Sequence, residues 1–443
     1  MSQPVSYARR LGLFSGTMAV IGGIIGSGIF INPAVVAARV GTAPLTLAAW
    51  IAGGVVALLG AFIFGELAAR LPKVGGGYAY LREAFGPLPA FLYAWALLLM
   101  IATGAIAAVA VTFANYAVTL FGLSPDSGVP LAMGAIVVIT AINYIGVRPA
   151  AWNNNLFTVL KLAALVGLII AGLFLAVKSP ILDMETVAAP TGFAGIALAL
   201  ATAFVPVLFA YGGWQQTNFI AEEMVDAERN LPRALVLGVL GVIVVYLLAN
   251  IAYLRVLGVA GLAASQAPAA DTMNAVMGPL GGKLISAGIV ASTFGWLVLV
   301  IMVSPRVYQA MAADGLFFES FAKLHPRFRT PTTAIVFQGV WTCVLLATKK
   351  YGQLLDYVTF ADWIFFGATA ATLVVFRKRD AGTRGTGFRL PGYPVTVAIF
   401  VIAAAYVVVG SIGSNPGNAA IGALLLGLGV PVYFYWARRA GQR

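Results

Sequence analysis

Histidine and cysteine are almost missing from this chain: its 443 residues hold one of each, His325 and Cys343. A His/Cys metal site needs three or four ligands and a disulfide needs two cysteines, so zinc chemistry, Cys/His nucleophiles and an internal disulfide framework are excluded. Charge is scarce as well. Only 9% of the residues are charged against 61% hydrophobic, and the mean hydropathy is +0.94; a globular domain carries about 25% and about 45 to 50%. A water-soluble fold would leave this apolar surface uncovered, so the bilayer is the expected solvent. No low-complexity tail, soluble domain or long linker interrupts the pattern. No cleavable leader is expected either, because a Gly-rich segment runs straight on from Arg9 and Arg10 without a small-residue cleavage site. A net charge of +12 would suggest nucleic acid in a soluble protein. Here its meaning depends on which side of the membrane holds the cations, and no nucleic acid, metal or cofactor is expected.

What the chain has is long apolar runs. A membrane helix needs about 20 mainly apolar residues, and twelve stretches fit: 12–39, 43–69, 88–120, 129–146, 154–177, 193–222, 233–258, 281–312, 331–348, 353–376, 393–412 and 418–437. The fold class is therefore an all-α polytopic membrane protein, one transmembrane domain over 1–443. The cations fix the expected orientation. Even-numbered connections (Arg70, Lys73, Arg82, Arg148, Arg229, Arg233, Lys323, Arg327, Arg329, Arg377, Lys378, Arg379, Arg384, Arg389) and the two tails (Arg9, Arg10, Arg438, Arg439, Arg443) hold 19 of the 27 Lys and Arg residues. The connection 121–128 holds none, so both termini are expected in the cytoplasm.

Two spans look broken. The first carries Gly22-Gly23-Ile24-Ile25-Gly26-Ser27-Gly28-Ile29-Phe30 at its middle. Each interior Gly costs a helix roughly 1 kcal/mol against Ala, and broken backbone survives in a membrane only where protein or a cavity surrounds it. A break near Ile25 to Ser27 is expected. Five spans later, the sixth carries Phe209-Ala210-Tyr211-Gly212-Gly213-Trp214-Gln215-Gln216. Interrupted segments in matching positions of two halves point to an inverted-repeat carrier with its site near the midplane. A broken helix exposes amides with about half a positive charge on one side and carbonyls with the reverse on the other. That suits a zwitterion: a carboxylate on the amides of Ser27 and Gly28, and an ammonium on carbonyls near Ile24 and from Phe209 to Gly212. Close helix packing through Gly22-x-x-x-Gly26 accounts for one such run, but less well for two in register.

These strings resemble the amino acid/polyamine/organocation superfamily, and within it the bacterial relatives of the L-amino-acid transporters. The likeness runs over residues 10–380, through Gly23-Ile-Ile-Gly-Ser-Gly-Ile-Phe30, Gly65-Glu-Leu-Ala-Ala-Arg-Leu-Pro-Lys-Val-Gly-Gly-Gly-Tyr-Ala-Tyr80, Phe209-Ala-Tyr-Gly-Gly-Trp-Gln-Gln-Thr-Asn-Phe219 and Ser304-Pro-Arg-Val-Tyr-Gln-Ala-Met-Ala-Ala-Asp-Gly-Leu316. It implies a LeuT-type fold whose inverted repeats are 10–177 and 193–376, with two further helices at 393–437. It also implies amino acid transport. The family's main-chain contacts fall on Ile24, Ser27, Gly28, Phe209, Ala210 and Gly212, and its closing aromatic on Phe209, which otherwise reads as a membrane-core ring.

Lys161 lies deep in the fifth span. A central lysine costs roughly 2.5 to 3.5 kcal/mol on insertion scales, so it either finds a partner or snorkels to the interface. The resemblance makes it a built-in cation in place of sodium, partnered by carbonyls near Gly22 and a hydroxyl of Ser292 or Thr293. Glu66 and Arg70 have the favourable i,i+4 order and read as a latch, with a proton site as the alternative. Glu222 and Glu223 read as partners of Arg229 and Arg233. Asp362 is open to three readings: a proton-coupling acid, a subsite for a cationic substrate, or a hydrogen-bonded buried acid. Cys343 is in the ninth span, and the connection after the third, where animal family members carry the cysteine bonded to a heavy chain, has none. No disulfide-linked heavy chain is expected.

The resulting expectation is a sodium-independent exchanger of neutral L-amino acids in the inner membrane, not an enzyme. The alternative within the class is a proton-coupled symporter of cationic amino acids or polyamines. A channel would need a polar pore, and the third span is too apolar. A membrane enzyme would need a nucleophile and base at depth, and the one histidine lies in a basic loop.

Overall fold

Hydrocarbon offers no partner for a bare amide, so a chain this apolar must satisfy its backbone within each segment, and helices do that. The structure, a computed structural model, describes residues 12–71, 76–145, 151–176, 187, 190–328, 330–348, 350–380 and 387–440; for 151–157, 219–223, 351 and 440 only the backbone is described. No strand occurs among the described residues. In chain order the helices are α1 (Leu13–Ile24), α2 (Gly28–Val40), α3 (Ala43–Arg70), α4 (Gly77–Phe85), α5 (Pro87–Ala96), α6 (Ala102–Phe121), α7 (Gly128–Ile145), α8 (Ala151–Ile170) and α9 (Gly192–Tyr211). They continue with α10 (Ala227–Ala264), α11 (Pro268–Val303), α12 (Pro305–Ala313), α13 (Glu319–Ala322), α14 (Thr332–Thr348), α15 (Tyr351–Arg379), α16 (Val395–Ser414) and α17 (Pro416–Ala440).

Ten helical stretches are long and apolar enough to cross a membrane, and α1 with α2, bent by 43° at their junction, make an eleventh. The twelfth expected span is α14, whose 17 residues cover about 25 Å at 1.5 Å per residue, the short end of what crosses. The helical tracts also overrun expectation. Helix α10 continues past the non-helical Gly258 to Ala264, and α11 begins at Pro268 before the non-helical Gly278. At both glycines the chain turns and resumes a short helix, so the break marks the end of a span without ending the helical tract. Helix α4 stands in what read as a plain connection.

Helix α1 packs on α10 and α8, α2 on α9 and α10, α3 along α10, α6 along α11, and α15 along α16. One apolar core gathers around α1, α2, α3, α9 and α10 through Trp50, Trp214 and Tyr246, and a second around α5, α6, α11, α14 and α15 through Phe91, Tyr308 and Tyr357. The cavity described next lies between the two cores, with Ile24 and Leu208 on one wall and Leu97, Leu297's neighbour Trp296, Val300 and Val358 on the other.

Candidate functional site

The first break falls where the glycines put it: α1 ends at Ile24, Ile25 to Ser27 are unwound, and α2 starts at Gly28. The second comes after Tyr211, where Gly212 leaves the helix and Gly213 takes a φ of +106° before a 3-10 segment, Trp214–Glu223. The two breaks touch through main chain. A Cβ on Gly28 would strike the Cα and Cβ of Ala210, and one on Gly213 would strike the Gly23 carbonyl. At Gly213 the positive φ adds a second demand that only glycine meets without strain.

Every carbonyl at the end of α1 has a tertiary or capping donor. Ile21 accepts from the Ile25 amide at 2.9 Å. Gly22 accepts from Lys161 Nζ at 3.2 Å, Gly23 from Trp296 Nε1 at 3.3 Å, and Ile24 from both the Gly26 amide at 2.8 Å and the Tyr246 hydroxyl at 3.2 Å. The Tyr246 hydroxyl also lies 3.2 Å from the Ala210 carbonyl. One hydroxyl proton therefore serves both broken helices. Across the gap, Phe209 O accepts from the Gly212 amide at 3.2 Å and keeps a second lone pair. On the amide side, the Phe30 amide donates back to Ser27 O at 3.1 Å, the earlier amides of a helix start have no intrahelical acceptor, and beside them the buried Ser27 Oγ has no hydrogen-bond partner.

These groups border a cavity of about 80 Å³ lined by Ile24, Ser27, Gly28, Phe209 and Gly212, with Trp296, Thr359 and Asp362 facing them from α11 and α15. The lining continues through Gln215, Gln216, Val303 and Ser304 toward the end of the bundle that holds α12 and Arg377. Five of the six residues expected to hold main-chain groups of a ligand thus meet at one cavity. Ala210 does not line it: its Cα and Cβ back Gly28 and its carbonyl faces Tyr246. Lys161, 4% exposed, reaches Gly22 as anticipated. Of its other expected partners, Thr293 donates to its own helix at Ile289 O (2.7 Å), and the buried Ser292 Oγ has no partner.

Asp362 lines the cavity half-buried, and no cation pairs with it among the described residues. Thr359, one turn earlier on α15, presents a buried hydroxyl that also lacks a partner. Glu66 stands apart from the cavity. Its fully buried carboxylate accepts from Arg70 Nε (2.8 Å), Arg377 Nε (2.8 Å), Arg377 Nη2 (2.5 Å) and the Leu390 amide (2.7 Å). Two guanidinium groups hold it as an anion, the arrangement of a latch. The side chains of Glu222 and Glu223 lie outside the described residues. At the end of α12, the Asp314 carboxylate accepts from the Tyr78 hydroxyl and pairs with Arg82 Nη1, each at 2.5 Å. Burial, then the bond to that carboxylate, push the Tyr78 hydroxyl well above its ordinary range, so it stays a donor.

Sequence reading missed Tyr246, Trp296 and Thr359. Each is an ordinary residue for an apolar helix, and only the fold brings it to the breaks. No group of three or more His, Cys, Asp or Glu residues able to hold a metal occurs among the described residues.

Comparison with known proteins shows the family. Residues 11–432 match the model of the family described as amino acid permease. The chain is 34% identical over 98% of its length to human "Large neutral amino acids transporter small subunit 2", covering 82% of that protein. It is 33% identical over 84% of its length to human "b(0,+)-type amino acid transporter 1", covering 77% of it, and 33% identical over 93% to the rat protein of the same name, covering 84%.

Proposed function

The chain belongs to the amino acid permease family, and on that premise we propose that it is a sodium-independent exchanger of neutral L-amino acids, working by alternating access in the inner membrane with both termini cytoplasmic. The observation that carries this reading is the pairing of two helix breaks at one cavity. Ser27 Oγ and the amides of Ser27 and Gly28 at the start of α2 meet a carboxylate, and Phe209 O on the opposite side takes the ammonium. The dipole of α2 adds to the first contact. Phe209 lines the same cavity, and its ring is the group that would close over the grip. About 80 Å³ is room for roughly five to eight water-sized bodies, which suits a zwitterion with a short side chain; a longer one needs Phe209 to swing.

Sodium independence follows from Lys161. Its ammonium sits on the last turn of α1, where it supplies a tethered positive charge. The five-helix halves 10–177 and 193–376 are the inverted repeats, and the bodies that move against each other are the two cores flanking the cavity, each built from helices of both halves. The similarity to a protein named for large neutral amino acids supports a neutral substrate, and the sole cysteine, Cys343 in α14, leaves the connection after α6 without a thiol for a covalently attached partner.

A second reading rests on Asp362: an unpaired carboxylate in the cavity wall would receive a cationic side chain or a coupling proton. Counterflow of a panel of labelled amino acids into proteoliposomes, with and without sodium, tests both. Trans-stimulated exchange of neutral amino acids without sodium is the expected result. Uptake of lysine driven by an imposed pH gradient, and lost in Asp362→Asn, would replace it with the second reading. Lys161→Ala is expected to insert normally and to lose transport, and undiminished uptake would return that lysine to a snorkelling role.

A further inference from the structure

Away from the cavity, a groove of about 730 Å³ runs between α7 and α14 on the outer surface of the bundle, walled by Ile136, Val137 and Ala141 on one side and Val340, Cys343 and Val344 on the other. Val137 and Val340 are each 61% exposed, so the groove opens toward lipid. The helices touch at its floor, where a Cβ on Gly339 would come within 2.6 Å of Thr140 Oγ1. Its α14 wall runs from Val336 to Ala347, about 16 Å at 1.5 Å per residue. That is the depth of one leaflet, half of a hydrocarbon core about 30 Å thick.

One mouth of the groove is basic and built. Tyr144 lines the groove, and its carbonyl accepts from Thr330 Oγ1 at 3.0 Å, fixing the turn before α14 to the end of α7. The Tyr144 ring lies 5.8 Å from His325 and 6.0 Å from Phe328, and the Arg327 guanidinium sits 5.6 Å above the Phe328 ring. His325 Nδ1 accepts from the amides of Arg327 and Phe328, both at 3.3 Å, which leaves the ring proton on Nε2 as a donor. Lys323 is held by Glu319 at 3.1 Å. Arg327 is exposed and has no acid partner among the described residues.

We propose that this groove binds an anionic phospholipid of the leaflet on the Arg327 side, one acyl chain lying between α7 and α14 and the phosphate on Arg327 and His325. The acyl length matches the groove, and the cation without a counterion stands at the end where a headgroup must be. A zwitterionic lipid carries its own ammonium and gains less from Arg327.

The test uses the full-length protein equilibrated in nanodiscs of phosphatidylcholine with a minor fraction of phosphatidylglycerol. Native mass spectrometry then reads the lipids that survive delipidation. Wild type is expected to retain phosphatidylglycerol over phosphatidylcholine by about fivefold relative to the bulk ratio, the factor that roughly 1 kcal/mol per basic residue near a charged surface corresponds to. Arg327→Ala should return the ratio to that of the bulk. Cys343→Trp, which fills the groove, should remove the retained lipid; Val340→Phe replaces it if the tryptophan variant fails to give a monodisperse peak. Retention of both lipids in the bulk ratio by wild type overturns the proposal. So does enrichment that survives the groove-filling variants, or a second copy of the chain captured on this face instead of lipid.

Discussion

Helix α15 is held by an acid and an arginine near each end, and the two attachments are unequal. Toward the outer end, Asp356 meets Arg39 Nη2 at 3.4 Å and accepts from Ser414 Oγ at 3.1 Å. Arg39 spends its other nitrogen on the Thr202 carbonyl, 2.5 Å away, which is open because Pro206 four residues on has no amide to offer it. At the inner end, four donors from two arginines and one amide converge on Glu66, and Arg70 also reaches Asp380. The inner contact is a two-pronged fork between flat groups, and the outer one a single long approach. The difference assigns the ends different work. Helix α15 is held firmly where it meets α3 and weakly where Asp356 meets Arg39 of α2, and with both termini in the cytoplasm, as proposed above, the weak end is the one that would part for the cavity to face outward.

Substitutions can break or sharpen that contrast. Glu66→Gln should do most damage, about 2 to 3 kcal/mol, because it takes the counter-charge and acceptors from two partly buried guanidinium groups; a lower melting temperature and loss of the monodisperse peak in gel filtration would report it. Arg377→Lys keeps the charge but loses the fork, and should cost about 1 to 3 kcal/mol in the same melt. Arg39→Gln loses one long contact to a buried carboxylate, so it should lower the melt less than Glu66→Gln, by about 1 to 2 kcal/mol, and favour the outward-facing state by about fivefold. A membrane-impermeant thiol reagent reacting with Thr359→Cys in a Cys343→Ser background would measure it as a faster modification rate. Ser414→Ala should show the smallest effect, roughly twofold in that rate, from about 0.5 kcal/mol for one hydrogen bond. If Arg39→Gln destabilised the protein as much as Glu66→Gln, both ends would be structural and the contrast would fail.

Much of this was legible in the chain, for physical reasons that also set the limit. Glycine at Gly22, Gly23, Gly26 and Gly28 is costly in a helix, and close packing accounts less well than a break for a cluster matched in a second span, so the first interruption could be located to within three residues. Lys161 was legible because a charge at depth is expensive. The i,i+4 spacing exposed Arg70 as a partner of Glu66, but nothing local exposes Arg377, 311 positions away. Arg39 carries no local signature, because its partners Asp356 and Thr202 belong to helices that only the tertiary fold brings near. Tyr246 and Trp296 carry no sequence signature because aromatic residues fill membrane helices for packing alone. The span count held to the extent that length decides it: ten long helices and the bent pair stand clear, and α14 sits at the margin.

The bare contact of Gly28 with Ala210 and of Gly213 with Gly23 has a consequence for how such a carrier diversifies. Where polypeptide lies against polypeptide there is no side chain to exchange, so, on the proposed function, the main-chain part of the grip on what all amino acids share is closed to mutation. Novelty in cargo has to be written on the facing wall, at positions such as Val109, Thr359 and Asp362, which can vary without disturbing the grip.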